Sequence, residues 1–341
     1  MSIVNTLTQS NRMRDKLSNN RNGFTSSANI TVLGTALILF VVVGNPIDEF
    51  RILCIVCIVL GCVASFFYVT TIREVPLKKL AIEREAKYKR QVKIESGLAS
   101  ESDPLEEELT GDELKTAKKG KTWKDWLKLE TFYIYGFVYM LVRVAINVTM
   151  TMQPFYLNQV TLYVADGEGT APQLAIVPLI SYVGQLFFSL WLQRWMTEKL
   201  RNRFLPLLVA FICITIGSLP MAFLNGEENV RWAVYPLAFI QGLGLIIMLN
   251  TSTSLISDVI GNDAENAAFV YGMYSFMDKV MNGTLLFFLV DSFSKDNPDA
   301  LKIIMAVVPI TCSILAYALS YFGHKYFSHK LAKITGINQG R

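Results

Sequence analysis

Three charged side chains stand inside long apolar runs of this sequence: Arg143, Asp278 and Lys279. A charge at the centre of a bilayer costs at least about 2.5–3.5 kcal/mol on insertion scales, so a residue placed there pairs, lines water or serves a site. Tyr139, Arg143 and Asn147 follow one another at i, i+4 and i+8 and share a helix face. That face carries a phenol, a guanidinium and an amide among aliphatics, which suits the lining of a polar cavity. Asp278 and Lys279 are adjacent and point about 100° apart on a helix, so they pair poorly with each other. The expectation is that Asp278 pairs with Arg143 across the fold while Lys279 faces a central cavity, where a free ammonium attracts a carboxylate or polar solute. Asn282 lies three residues past Lys279, on its face, and adds a hydrogen-bonding amide. The bland alternative for the three charges is a structural ion pair and a snorkelling side chain. A polar run, Asn250-Thr251-Ser252-Thr253-Ser254, follows Gln241, Gly242 and Gly244. Hydroxyls there can bond back to helix carbonyls and bend the helix, and glycines permit close packing. Helix packing and substrate contact through Asn250 both remain open.

The elements that hold these residues are read from the spacing of charge. Only 18% of the 341 residues are charged, against roughly 25% in a soluble domain, and 52% are hydrophobic. Uncharged runs cover Asn22–Ile47, Ile52–Ile72, Gly169–Gln193, Phe204–Gly226, Trp232–Ser257 and Ile303–His324, each of 21 to 26 residues. About 20 mainly apolar residues cross a bilayer as a helix. Six such runs exclude a water-soluble enzyme. Two further stretches, interrupted by Arg143 and by Asp278-Lys279, are long enough to span if the charge faces protein or water. The reading is an all-α, polytopic membrane protein with eight spans, at 24–44, 52–72, 132–153, 173–195, 204–224, 232–256, 267–291 and 302–323.

An even number of spans puts both termini on one side. The terminal segments, the linker 73–131 and the loop 194–203 hold 26 of the 32 basic residues, and the opposite loops hold Arg51, Arg231 and Lys295. By the positive-inside rule the richer face is cytoplasmic. The basic residues sit at membrane edges, where anionic lipid meets them, so the net charge of +4 points to membrane lipid and not to nucleic acid. The linker opens with an amphipathic segment, 73–93, continues through an acidic, Ser-rich stretch that reads as disordered, and ends in KTWKDWLKLETFY, again amphipathic. The organisation is thus two helices (1–72), a cytoplasmic linker (73–131), six helices (132–323) and a cytoplasmic tail (324–341). Cys54, Cys57, Cys62, Cys213 and Cys312 all fall in spans and read as small buried residues, Cys54-x-x-Cys57 included. No phosphate-binding loop, nucleophile elbow or His/Cys metal set is present, so neither enzyme chemistry nor a cofactor is expected.

Particular stretches resemble a known family. MSIVNTLTQSNRMRDKLSNNRNGFTSSANITVLG, with Arg14, Leu17, Arg21 and Phe24, looks like the loop and fifth helix of glycoside–pentoside–hexuronide:cation symporters of the major facilitator superfamily. FVYGMYSFMDKVMNG (269–283) resembles the eleventh helix of the eukaryotic branch of that group, and FYIYGFVYMLVRVAINVTMTMQPFYL its seventh. That branch includes cysteine importers of lysosomes and melanosomes. The resemblance implies a twelve-helix transporter of which this chain carries the last eight helices. It implies alternating access around a midplane site for cysteine, a related amino acid or a sugar, moved with a cation such as H+ or Na+. It matches Lys279 to the family's eleventh-helix lysine near the sugar. The family's cation-binding carboxylates lie mainly in the first four helices, which are missing from the pattern, so the coupling ion is not legible. A plasma-membrane or lysosome-like residence follows from the resemblance alone. The alternative is a truncated homologue that does not transport and acts as a scaffold or regulatory partner.

Overall fold

The structure is a computed structural model that describes residues 11–71, 123–162, 170–192, 205–260, 267–293 and 297–335. Among these residues all regular structure is helical. Helix α1 (Asn11–Val42) turns through Gly44, at φ +69°, into α2 (Pro46–Thr71). Asn45 shapes that elbow: its Oδ1 accepts from the Ile47 amide at 3.2 Å and its Nδ2 donates to Asp48 at 3.0 Å. The short α3 (Trp123–Leu127) leads into α4 (Glu130–Gln159). Helix α5 (Gln173–Phe187) continues as one π-turn, Phe188–Leu192. Helix α6 (Leu205–Ser218) gives way to a 3₁₀ turn at Pro220–Phe223. The short α7 (Glu228–Arg231) precedes α8 (Val234–Ile260), followed by α9 (Ala267–Phe293) and α10 (Pro298–Thr335).

Apolar sequence becomes helix here because hydrocarbon offers the backbone no hydrogen-bond partner outside its own segment. Among the described residues, seven helices are long and apolar enough to cross a membrane. The eighth expected span, α9, is 27 residues long, but Asp278, Lys279 and Asn282 lower its apolarity below the others. Helices run through Pro154, Pro178 and Pro309 without ending. The first span begins earlier than its charge-free run: α1 already contains Arg21, and its apolar part starts at Leu17.

Helices α4, α6, α8 and α10 enclose the main core, where Val142, Val148, Met152, Tyr156, Ile214, Met248 and Met305 interlock. Helix α4 packs most extensively on α10 and also meets α8 and α9, while α5 lies against α8 and α1. A second cluster closes the linker-side ends of α4, α8 and α9: Trp126, from the end of the linker, is fully buried with Phe132, Ile256, Val270 and Tyr274. The amphipathic end of the linker thus becomes a docked helix. Its segment 73–93 and the acidic stretch lie outside the described residues. Helix α2 rests chiefly on α1 and turns most of its surface outward. The expectation of buried cysteines fails there: Cys54 and Cys62 are exposed and Cys57 is half-buried. A helix with neighbours on one side only leaves its small apolar residues facing the bilayer. Cys312 is buried and Cys213 intermediate, inside the six-helix body.

Candidate functional site

Helices α4 and α9 meet at a pair of opposite charges. Arg143 Nε lies 3.2 Å from Asp278 Oδ2. The Asp278 side chain is 3% exposed and that of Arg143 24%. Asn282 Nδ2 donates to the other carboxylate oxygen, Oδ1, at 2.6 Å and to the Asp278 carbonyl at 2.9 Å. Each oxygen of the carboxylate therefore has a donor, which is what a charge out of water requires. The sequence puts Asn282 on the face of Lys279, but it lies one helical turn from Asp278 as well. The charge-assisted bond at i, i+4 draws the amide to the carboxylate. Arg143 stands thirteen residues into α4, about 20 Å along it, and Asp278 eleven residues into α9, about 16 Å along it. Both lie near the middle of their helices.

The neighbouring expected residues divide. Tyr139, one turn before Arg143, is buried and stacks on Tyr274 of α9 with centroids 6.4 Å apart. Tyr274 in turn donates its hydroxyl to the Phe132 carbonyl at 2.6 Å. Gly136 makes room for that ring, since a Cβ there would stand 2.8 Å from Tyr274 Cε1. Asn147, one turn beyond Arg143, is half-buried, and its side chain bonds no described residue. Lys279 is exposed and has no described partner, although it sits at the depth of the buried pair. Asn250 of α8 is buried and accepts a hydrogen bond from Asn22 Nδ2 at 2.6 Å. It belongs to a different contact from the ion pair, the one between α8 and α1.

That contact holds Asn19, Asn22 and Ser26, which the reading of charge along the sequence passed over, beside Gln185, a polar residue of the fourth span of the same kind as Asn250. Ser26 Oγ donates to Gln185 Oε1 of α5 at 3.4 Å, and Ser189 Oγ donates to the Asn19 carbonyl at 3.0 Å. Asn19, Asn22 and Ser26 are all buried. Arg21 is half-buried beside them, and its Nη2 donates to Asn22 Oδ1 at 2.8 Å. It lies within electrostatic reach of Tyr139, Tyr271 and Arg143. The signal was available: Asn19, Asn22 and Ser26 recur at i, i+3 and i+7, the period of one buried helix face. Starting the span after the last charge hid it.

Among the described residues, seven helices long and apolar enough to cross a membrane are joined by α9, which carries half of a charged pair. Residues 14–284 match the Major Facilitator Superfamily. The chain belongs to the major facilitator superfamily. It is an integral membrane protein of a superfamily of transporters. Among curated proteins it is similar to the mouse protein called major facilitator superfamily domain-containing protein 12, with 30% identity over 163 residues, 47% of this chain and 32% of the relative. The human protein of that name is 30% identical over 168 residues, 49% of this chain and 33% of the relative. The horse protein is 28% identical over 301 residues, 83% of this chain and 56% of the relative. The chain thus spans between about a third and just over a half of these relatives. No solved structure matches it.

Proposed function

We propose that the protein is a secondary active transporter that moves a small organic solute by alternating access. The solute is cysteine or a related amino acid, or a sugar, carried with H+ or Na+. One observation carries this reading: at positions 278 and 279 a membrane helix divides its charge. Asp278 is buried and held by Arg143 and Asn282, while Lys279, one residue on, stands exposed at the same depth. An ammonium facing hydrocarbon is costly, so the face of α9 that carries it favours water or a polar solute. Lys279 is then the substrate-facing cation. Arg143 and Asp278 hold α4 and α9 in register, and Tyr139, Asn147, Asn250 and Asn282 complete the polar surface of the route. Family membership and similarity to major facilitator proteins support transport over an enzymatic role. Both termini and the linker lie in the cytoplasm, in a plasma or lysosome-like membrane.

The test is uptake of labelled cysteine and labelled hexose into vesicles carrying the protein, with and without proton and sodium gradients. One solute is expected to accumulate, to follow one cation gradient, and to lose at least about tenfold in uptake on Lys279→Ala, as removal of a charged contact predicts. Unchanged uptake after that substitution removes Lys279 from the site. No uptake of either solute favours the non-transporting homologue.

A further inference from the structure

Helix α5 leaves the α-helical path where it meets α1. Its π-turn, Phe188–Leu192, widens the backbone bonds from i→i+4 to i→i+5, a rare arrangement found mostly as single turns at functional sites. Both sides of the turn are held. Phe188 is buried in the main core. Ser189, the next residue, is buried against α1 and donates Oγ to the Asn19 carbonyl at 3.0 Å. It stands over Gly23, where a Cβ would lie 3.3 Å from that Oγ. Two residues about 100° apart on an α-helix are thus seated on two different neighbours. Upstream, α5 is locked to α8: a Cβ on Gly184 would stand 3.0 Å from the Phe239 carbonyl oxygen, and Ser181 bonds the Ala238 carbonyl at 3.0 Å. Downstream, Leu190 and Trp191 are exposed. The π-turn therefore joins a fixed length of helix to an exposed end.

The ties from α5 to α1 are replaceable. The Asn19 carbonyl lies inside a continuous helix and already accepts from the amide four residues on, so the Ser189 bond is its second. The Ser26 hydroxyl has one proton and two acceptors, Gln185 Oε1 at 3.4 Å and the Asn22 carbonyl of its own helix at 3.2 Å. It can leave α5 without losing a bond. A serine in an α-helix can also bond the carbonyl four residues before it, which for Ser189 is that of Gln185.

We propose that Phe188–Leu192 is a conformational switch set by α1. With Ser189 docked on Gly23 and Asn19, the turn is held in its π form. When α1 withdraws, Ser189 turns to the Gln185 carbonyl, the turn closes to an α-helix, and Leu190 and Trp191 rotate relative to the core. Contact between the parts of the chain on either side of the linker is in this way converted into a change of helix register. The switch goes beyond the transport reading and does not depend on it, since no solute takes part.

Amide hydrogen exchange of the purified full chain in detergent, read by mass spectrometry on the peptide that contains residues 188–192, tests this. Ser189→Ala removes the tie to Asn19. Gly23→Ala, a change on α1 alone, presses a methyl group against Ser189 Oγ. Each is expected to close the turn and to slow exchange of these amides by about two- to tenfold, the worth of one hydrogen bond. A seam that only packs predicts the opposite sign, because a lost contact loosens the helix and speeds exchange. The docked form can also be locked. A Cβ on Gly23 would stand 3.5 Å from Ser189 Cβ, within the reach of a disulfide. Gly23→Cys combined with Ser189→Cys is expected to cross-link on oxidation and to exchange at the parent's rate, and on reduction to exchange as slowly as the alanine variants. Faster or unchanged exchange in either alanine variant overturns the switch. So does a cysteine pair that forms no disulfide, or one whose exchange is the same oxidised and reduced.

Discussion

Two seams of this bundle are built on opposite physical terms. Around α8 the helices meet backbone to backbone. A Cβ on Gly217 would stand 2.7 Å from the Gln241 amide nitrogen, and one on Gly244 would stand 2.9 Å from that of Ile214. One on Gly242 would be driven into the Ser181 carbonyl oxygen, with Ser181 Cα 2.9 Å away. Between α4 and α9 the contact is made by long side chains: an ion pair, an amide on the carboxylate, and Tyr139 stacked on Tyr274. In lipid, small residues allow close van der Waals packing, while polar side chains supply discrete partners. The first kind of seam has one arrangement. The second has donors and acceptors that can be exchanged for others, which is what a helix moving against its neighbour needs. On the proposed transport reading, α8 is the fixed frame and α9 the element with contacts to exchange.

Removing one partner from the polar seam is expected to have the largest effect. Asp278→Ala leaves the Arg143 guanidinium without its counter-ion and is expected to destabilise the detergent-solubilised protein by about 3–5 kcal/mol, the usual range for half of a buried pair. Arg143→Met combined with Asp278→Leu removes both charges and is expected to return most of that loss, since a neutral pair of similar volume has no desolvation penalty to offset. Reversible denaturation of the two variants and the parent measures both values. A cost below about 1 kcal/mol for Asp278→Ala would mark the pair as solvated and of the surface type. The polar seam would then not hold α9 at all.

The pair was legible in the sequence because so few charges interrupt the apolar runs that Arg143 and Asp278 had little choice of partner. The eight-helix order was legible for the same reason. What stayed hidden depended on neighbours that no single segment shows. Helix α1 continues through Arg21 because polar groups on α5 and α8 receive its polar face, so a rule that ends a span at the first charge stops short. Cys54 and Cys62 read as buried because an apolar helix gives no sign of how many neighbours it has, and α2 has few. Asn282 has two helical neighbours at one turn's distance, and only the carboxylate's demand for a second donor decides between them.

A smaller effect is expected where the fixed seam is overfilled. Gly242→Ala adds one methyl group against the backbone of α5, which cannot rotate away as a side chain would. Overpacking of this sort costs about 1–3 kcal/mol. The measurable consequence beyond stability is separation of α5 from α8, with loss of the 3.0 Å bond from Ser181 Oγ to the Ala238 carbonyl. Cysteine pairs placed across the two helices should cross-link more slowly in the variant. An unchanged melting temperature and unchanged cross-linking would show that α8 can shift to accept the methyl group, and would remove its claim to be the frame.

The same substitution at Gly272 separates the two kinds of seam most finely. Gly272 lies on the exposed face of α9, and a Cβ there meets nothing within 4 Å. Alanine is a better helix former than glycine by about 0.8–1.0 kcal/mol in a helix interior, so Gly272→Ala is expected to raise the melting temperature slightly or leave it unchanged. A glycine in a membrane helix often marks close approach by another helix, and this face also carries Lys279. If Gly272→Ala lowers the melting temperature while Gly242→Ala behaves as expected, something packs against the outer face of α9 in the working protein. Lys279 would then meet a protein partner there instead of solute. Stabilisation at Gly272 together with destabilisation at Gly242 would leave the division between a closed seam and an open face intact, with one methyl group tried on each.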